Sequence, residues 1–158
     1  MPEPTQLEVL STGEGNTSVL LIHGSGSAAR PFLRLGELIA ASLPDCGAAA
    51  IGLAGYGSRA ADPSLPILEQ HLAVIAAAID SGSWHLVGHS MGGYLALQTA
   101  LRMPEQIRSL TLIEPVAFGV LDPAEDRDAI EADRLVIETF AAQQEEESGV
   151  AAFIEAWN

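Results

Sequence analysis

The stretch WHLVGHSMGGYLALQTALRM, residues 84–103, constrains the fold more than any other part of the chain. It begins as a short apolar run suited to a strand. From Gly93 onward it reads GYLALQTAL, which suits a helix. Only Gly88-His89-Ser90-Met91-Gly92 lies between them, so a strand must become a helix within a few residues. A sharp, strained turn achieves this, and it points the Ser90 hydroxyl out of the sheet. The glycines two before and two after Ser90 remove side chains that would collide with neighbouring elements. Met91 starts the helix, so its backbone N–H faces any negative charge that develops beside Ser90.

The rest of the chain repeats strand and helix signals in alternation. LEVL (7–10) suits a first strand, and EGNTS breaks the pattern as a turn. VLLIHG (19–24) is a continuous apolar run stopped by glycine, as in a strand buried on both faces. RPFLRLGELIAASL places Phe32, Leu35, Leu38 and Ile39 at helical spacing. GAAAIGLAGYG (47–57) is a strand running into a glycine-rich loop. In LPILEQHLAVIAAAID, Leu68, Leu72, Ile75 and Ile79 step along one helix face. IRSLTLIEPV is a further strand. This order predicts an α/β fold: a doubly wound, mostly parallel sheet with right-handed crossovers. Residues 1–121 form its core. Residues 122–158 form a separate helical segment that starts at Asp122-Pro123 with Glu125 in a capping-box position.

Charge narrows the partners. The chain has formal net charge −14, and its seven basic residues are all arginine. Phosphate binding needs a basic footprint, so a nucleic-acid partner is not expected, and neither is attraction to an anionic membrane. No apolar run approaches the roughly 20 residues of a spanning helix. The N-terminus lacks a basic segment followed by an apolar one, which predicts a cytoplasmic chain. A single cysteine, Cys46, supports neither an internal disulfide nor a metal cluster, and no cofactor or metal is expected. HGSGSAAR has glycines but lacks the spacing of a nucleotide-binding loop.

LLIHGSGSA, GLAGYGSRA, HLVGHSMGGYLAL and LTLIEPVA, in this order, resemble the α/β-hydrolase fold family, in its esterase, thioesterase and cofactor-free haloperoxidase branch. The resemblance implies that Ser90 is the nucleophile toward a small acyl substrate. It gives the backbone N–H groups of Ser25 and Met91 as oxyanion donors. Gly24, His23 and His89 fall on the substrate-facing turns, with His23 read as holding its loop by hydrogen bonds rather than acting as a base. The family's loop after the fourth strand carries an aspartate and a proline where this chain has Gly52 and Ala54. Residues 122–158 stand where the family inserts its cap. There Phe140, Phe153 and Trp157 would offer an apolar underside to a substrate, or pack only with the sheet and each other.

The family order is nucleophile, acid, histidine. All four histidines here, His23, His71, His85 and His89, precede Ser90. The resemblance therefore implies a fold truncated after the sixth family strand, with the base outside the chain. Glu114, at the end of that strand, is the candidate acid within it, or else a carboxylate that caps a loop. The open edge at SLTLI predicts self-association or pairing with a complementing C-terminal segment. The alternative is a catalytically inactive fragment, or a ligand-binding domain that uses the same pocket.

Overall fold

A computed structural model describes residues 9–12, 17–43, 45–79, 82–132 and 134–135. Five strands form one sheet: β1 (Val9–Thr12), β2 (Thr17–Ile22), β3 (Cys46–Ile51), β4 (Trp84–His89) and β5 (Ile107–Ile113). Their spatial order is β1-β3-β2-β4-β5. The last four are parallel, and β1 pairs antiparallel with β3. The crossovers carry helices α1 (Ala29–Ser42), α2 (Ile67–Ala78) and α3 (Met91–Arg102). The doubly wound, mostly parallel sheet expected from the sequence is present.

The period-2 alternation of β2 divides the core in two. Leu20 and Ile22 face one side, joined by Ile51 and Leu86, and pack with Leu72 and Ile75 of α2 and Leu95 and Ala96 of α3. Val19 and Leu21 face the other side, with Ala48 and Ala50, against Ala29, Phe32, Leu33 and Ile39 on α1. Helices thus cover both faces, which is why β2 reads as an unbroken apolar run. Burying each large side chain of this core contributes about 1.5–3 kcal/mol. Coverage falls toward β5, where Leu112 and Ile113 remain 37% and 40% exposed.

The chain divides into two compact units, Met1–Val116 and Ala117–Asn158. In the second, helix begins at residue 127, later than the expected start at Pro123. Asp122 caps the segment as expected: its Oδ1 accepts from the Ala124 and Glu125 N–H groups at 2.7 and 3.2 Å. Its own N–H donates to Asp126 Oδ2 at 2.9 Å, and the Asp126 carbonyl accepts from Ile130 N–H. These are the bonds of an N-cap, and the Asp126 N–H closes one turn onto the Asp122 carbonyl at 2.8 Å before regular helix sets in. Phe140, Phe153 and Trp157 lie outside the described residues. Among the described residues, no helix is long and apolar enough to cross a membrane.

Candidate active site

Ser90 sits between β4 and α3 with φ 54° and ψ −121°. A non-glycine residue in such a conformation costs about 1–3 kcal/mol, so its surroundings must hold it there. Backbone hydrogen bonds do so. Ser90 N–H donates to the Ile113 carbonyl at 2.9 Å. The Ser90 carbonyl accepts from Gly93, Tyr94 and Val116 N–H groups at 2.9, 3.2 and 3.2 Å. Serine at a helix N-cap ordinarily bonds its hydroxyl to the first turn. Here the twisted backbone turns it away and no such bond forms. Among the described residues, the half-buried Ser90 hydroxyl has no hydrogen-bond partner.

The glycines show why the turn has its composition. A Cβ on Gly88 would lie 2.3 Å from the Gly92 carbonyl oxygen. One on Gly92 would lie 2.2 and 2.5 Å from the Ile22 and His23 carbonyl oxygens. Strand β2, the turn and the start of α3 are in backbone contact, with no room for a side chain. Gly24 meets the same limit, 2.9 Å from Ser90 Cβ and 3.2 Å from His89 Nδ1. The loop after β2 therefore runs directly beside the serine. Exposed Ser25 ties that loop to α3, its hydroxyl donating to Met91 Sδ at 3.3 Å. Ser25 and Met91, read from the sequence as the two oxyanion donors, are thus neighbours across 66 positions of chain. Helix α3 also directs the positive end of its dipole at this point.

The four histidines separate cleanly. His23 is fully buried. Its Nε2 accepts from Leu53 N–H at 3.4 Å, and its Nδ1–H donates to the Gly24 carbonyl at 2.9 Å. A single neutral tautomer satisfies both bonds. His23 therefore holds the loop from behind and does not face a substrate, which corrects its placement among substrate-facing residues. His71 is buried on α2, where burial and then the nearby His23 hold it below the ordinary histidine range. His85 bonds Ser109 across β4 and β5 at 2.6 Å. His89 is half-exposed at the mouth of the turn, beside Phe32 of α1 at 6.4 Å between ring centres.

Glu114 also has positive φ, 46°, at the end of β5. Its Oε2 lies 3.9 Å from His89 Nε2, because the register sets His89 beside Ile113. The structure brings Ser90, Met91, Gly24, Ser25, His89 and Glu114 to one end of the sheet, with His23 behind them. Sequence reasoning misses two neighbours of this group, Phe32 and Tyr56. The helical spacing of Phe32 marks it only as core, and nothing in the glycine-rich loop signals that the Tyr56 ring meets His23. A groove of about 230 Å³ lies elsewhere, between α2 and α3, lined by Leu72, Ala76, Thr99 and Met103 with Glu69 and Arg102. Its α3 residues begin nine positions from Ser90, about 13 Å along the axis, so it is not the serine's pocket.

Fold and site together define a class, and comparison with known proteins identifies it. Residues 19–156 match the model of the alpha/beta hydrolase family, and the chain belongs to that family. It is 33% identical over 110 residues to the dihydrolipoyllysine-residue acetyltransferase component of the acetoin cleaving system of Cupriavidus necator. That match covers 68% of this chain and 29% of the other protein. It is 32% identical over 121 residues to lipase LipV of Mycobacterium tuberculosis, covering 75% and 44%. An alpha/beta hydrolase of Sphaerobacter thermophilus shares the fold, with TM-score 0.63 at 24% identity over 84% of this chain and 51% of that one. The chain thus spans less than half the length of these two sequence relatives.

Proposed function

We propose that the chain carries the nucleophile half of a serine hydrolase that acts on an ester, thioester or related acyl compound. One observation carries this reading: Ser90 is held at φ 54° on a strand-to-helix turn, with its hydroxyl unbonded. In the reaction, Ser90 Oγ attacks the carbonyl carbon and its proton passes to a base. The Ser25 and Met91 N–H groups hold the oxyanion, each worth about 3–4 kcal/mol when well aimed. The carbonyl re-forms as the alcohol or thiol leaves, and water then releases the acyl group from Ser90. The relatives named as a lipase and an acetyltransferase share acyl chemistry, which supports the substrate class.

The base is a histidine outside this chain, oriented by Glu114 or by an acid that is also outside it. The exposed β5 edge supports completion by a further segment or by self-association. Light scattering behind size exclusion tests this: a stable, soluble monomer of the chain alone would count against it. The second reading is an idle turn, in an inactive fragment or a ligand-binding domain. It is favoured by the lack of any histidine bonded to Ser90 among the described residues.

Intact mass before and after a fluorophosphonate probe, with Ser90→Ala alongside, separates the readings. Single labelling that disappears in Ser90→Ala supports a working nucleophile. The untreated mass then reveals whether a second polypeptide supplies the base. No labelling of any species supports the idle turn.

A further inference from the structure

His71 is 3% exposed, and its Nδ1 has no hydrogen-bond partner. Buried polar atoms left in this state are uncommon and call for an explanation. The His71 ring stands 6.2 Å from the Tyr56 ring, tilted by 47°. Tyr56 in turn meets His23 edge-on, at 4.9 Å and 71°. Three rings from three parts of the fold thus form a column: α2, the loop after β3 and the end of β2. His23 is its foot. The ring bonds of His23 join the Leu53 loop to the Gly24 loop, and its carbonyl lies against Gly92 beside the serine. A proton added at Nε2 would set one N–H against another and break the bond to Leu53.

We propose that Tyr56 and His71 are positioning residues for the Gly24–Ser25 loop. The column His23–Tyr56–His71 holds that loop to the Leu53 loop only while both imidazoles are uncharged, so acid opens the loop ahead of the sheet. Only the catalytic consequence rests on reading Ser25 as an oxyanion donor.

The groups around His71 offer a charge no welcome. His23 faces the column from β2, and Tyr56 from the loop after β3, which also carries the buried Arg59. On the side toward α3, Glu69 of α2 is already engaged by Arg102, at 3.1 and 3.2 Å. Burial first, and repulsion from His23 second, lower the affinity of His71 for a proton. Opening the column restores that affinity. The opened state therefore binds more protons below the ordinary histidine value of about 6.5. Each proton taken up favours opening about tenfold per pH unit, until His71 also titrates in the closed state.

Amide exchange of the whole chain, followed by NMR from pH 7.5 to 4.5 and corrected for intrinsic exchange, reads this directly. Protection of the Leu53 amide should fall at least about tenfold per pH unit below about 6.5, while Leu21 and Leu86 amides stay protected. His71→Gln, which keeps a polar group but cannot titrate, should remove about tenfold per unit from that slope. An unchanged slope in His71→Gln overturns the proposal, as does Leu53 protection that follows Leu21 at every pH. If the variant does not fold, the imidazole resonances of the unaltered chain decide. His71 titrating below about 6.5 in step with Leu53 opening supports the column. His71 titrating at about 6.5 with Leu53 still protected overturns it. No reactivity of Ser90 enters these readouts, so failure of the serine reading and failure of the column are told apart.

Discussion

The Ser90 turn is braced from two sides of unequal quality. On the β2 side, backbone meets backbone: Gly92 abuts the Ile22 and His23 carbonyls, and Leu20, Leu21, Ile22 and Leu86 are essentially fully buried. On the β5 side, Ile113 and Val116 supply backbone bonds to Ser90, yet β5 is the outer strand and its last two residues are more than a third exposed. The strain at Ser90 is therefore secured on the buried β2 side and only assisted from the exposed β5 side. The strained turn is thus fully shaped although the strand on one side of it is largely exposed.

Substitutions on the two sides sharpen this contrast. The largest effect is expected for Gly92→Ala, whose methyl would enter two carbonyl oxygens and force β2 and α3 apart. Urea unfolding should show a loss of about 4 kcal/mol or more, or no folded protein. A loss below about 1 kcal/mol would mean that the close approach is not needed. Leu86→Ala in β4 should cost about 3 kcal/mol, because a buried cavity is left behind. Leu112→Ala in β5 should cost under about 1 kcal/mol, because that side chain is already partly in water. Equal losses at the two positions would show β5 to be covered in solution, as self-association or a completing segment would make it. The smallest effect carries the opposite sign. Ser90→Gly should gain about 1 kcal/mol, because glycine adopts positive φ without strain. A loss there would show that the turn is not under strain.

Much of this was legible in the residues. Periodicity located α1, α2 and α3 within about two residues, because their apolar faces pack on a sheet covered from both sides. Ser90, Gly24 and Ser25 came together as expected, since a strand, a glycine and a helix start leave the chain few conformations. The position of Glu114 beside His89 was not legible. It depends on the register between β4 and β5 and on a positive φ at a glutamate, and neither has a local signal. The His23–Tyr56–His71 column was hidden for a similar reason: its members are 33 and 15 positions apart and meet only through the path of a glycine-rich loop. The start of the second unit shows the reverse, a feature set by local residues. There the cap read from local spacing at Asp122 forms, with Asp126 rather than Glu125 as the carboxylate that reaches back to it.

As proposed above, Ser90 is a nucleophile whose base is supplied from outside the chain. Chemical rescue tests this most directly. Hydrolysis of a p-nitrophenyl ester is followed at rising imidazole concentration, for the purified chain and for Ser90→Ala in parallel. A component that grows with imidazole in the unaltered chain and is missing from Ser90→Ala is expected. Identical imidazole dependence in the two proteins would contradict it.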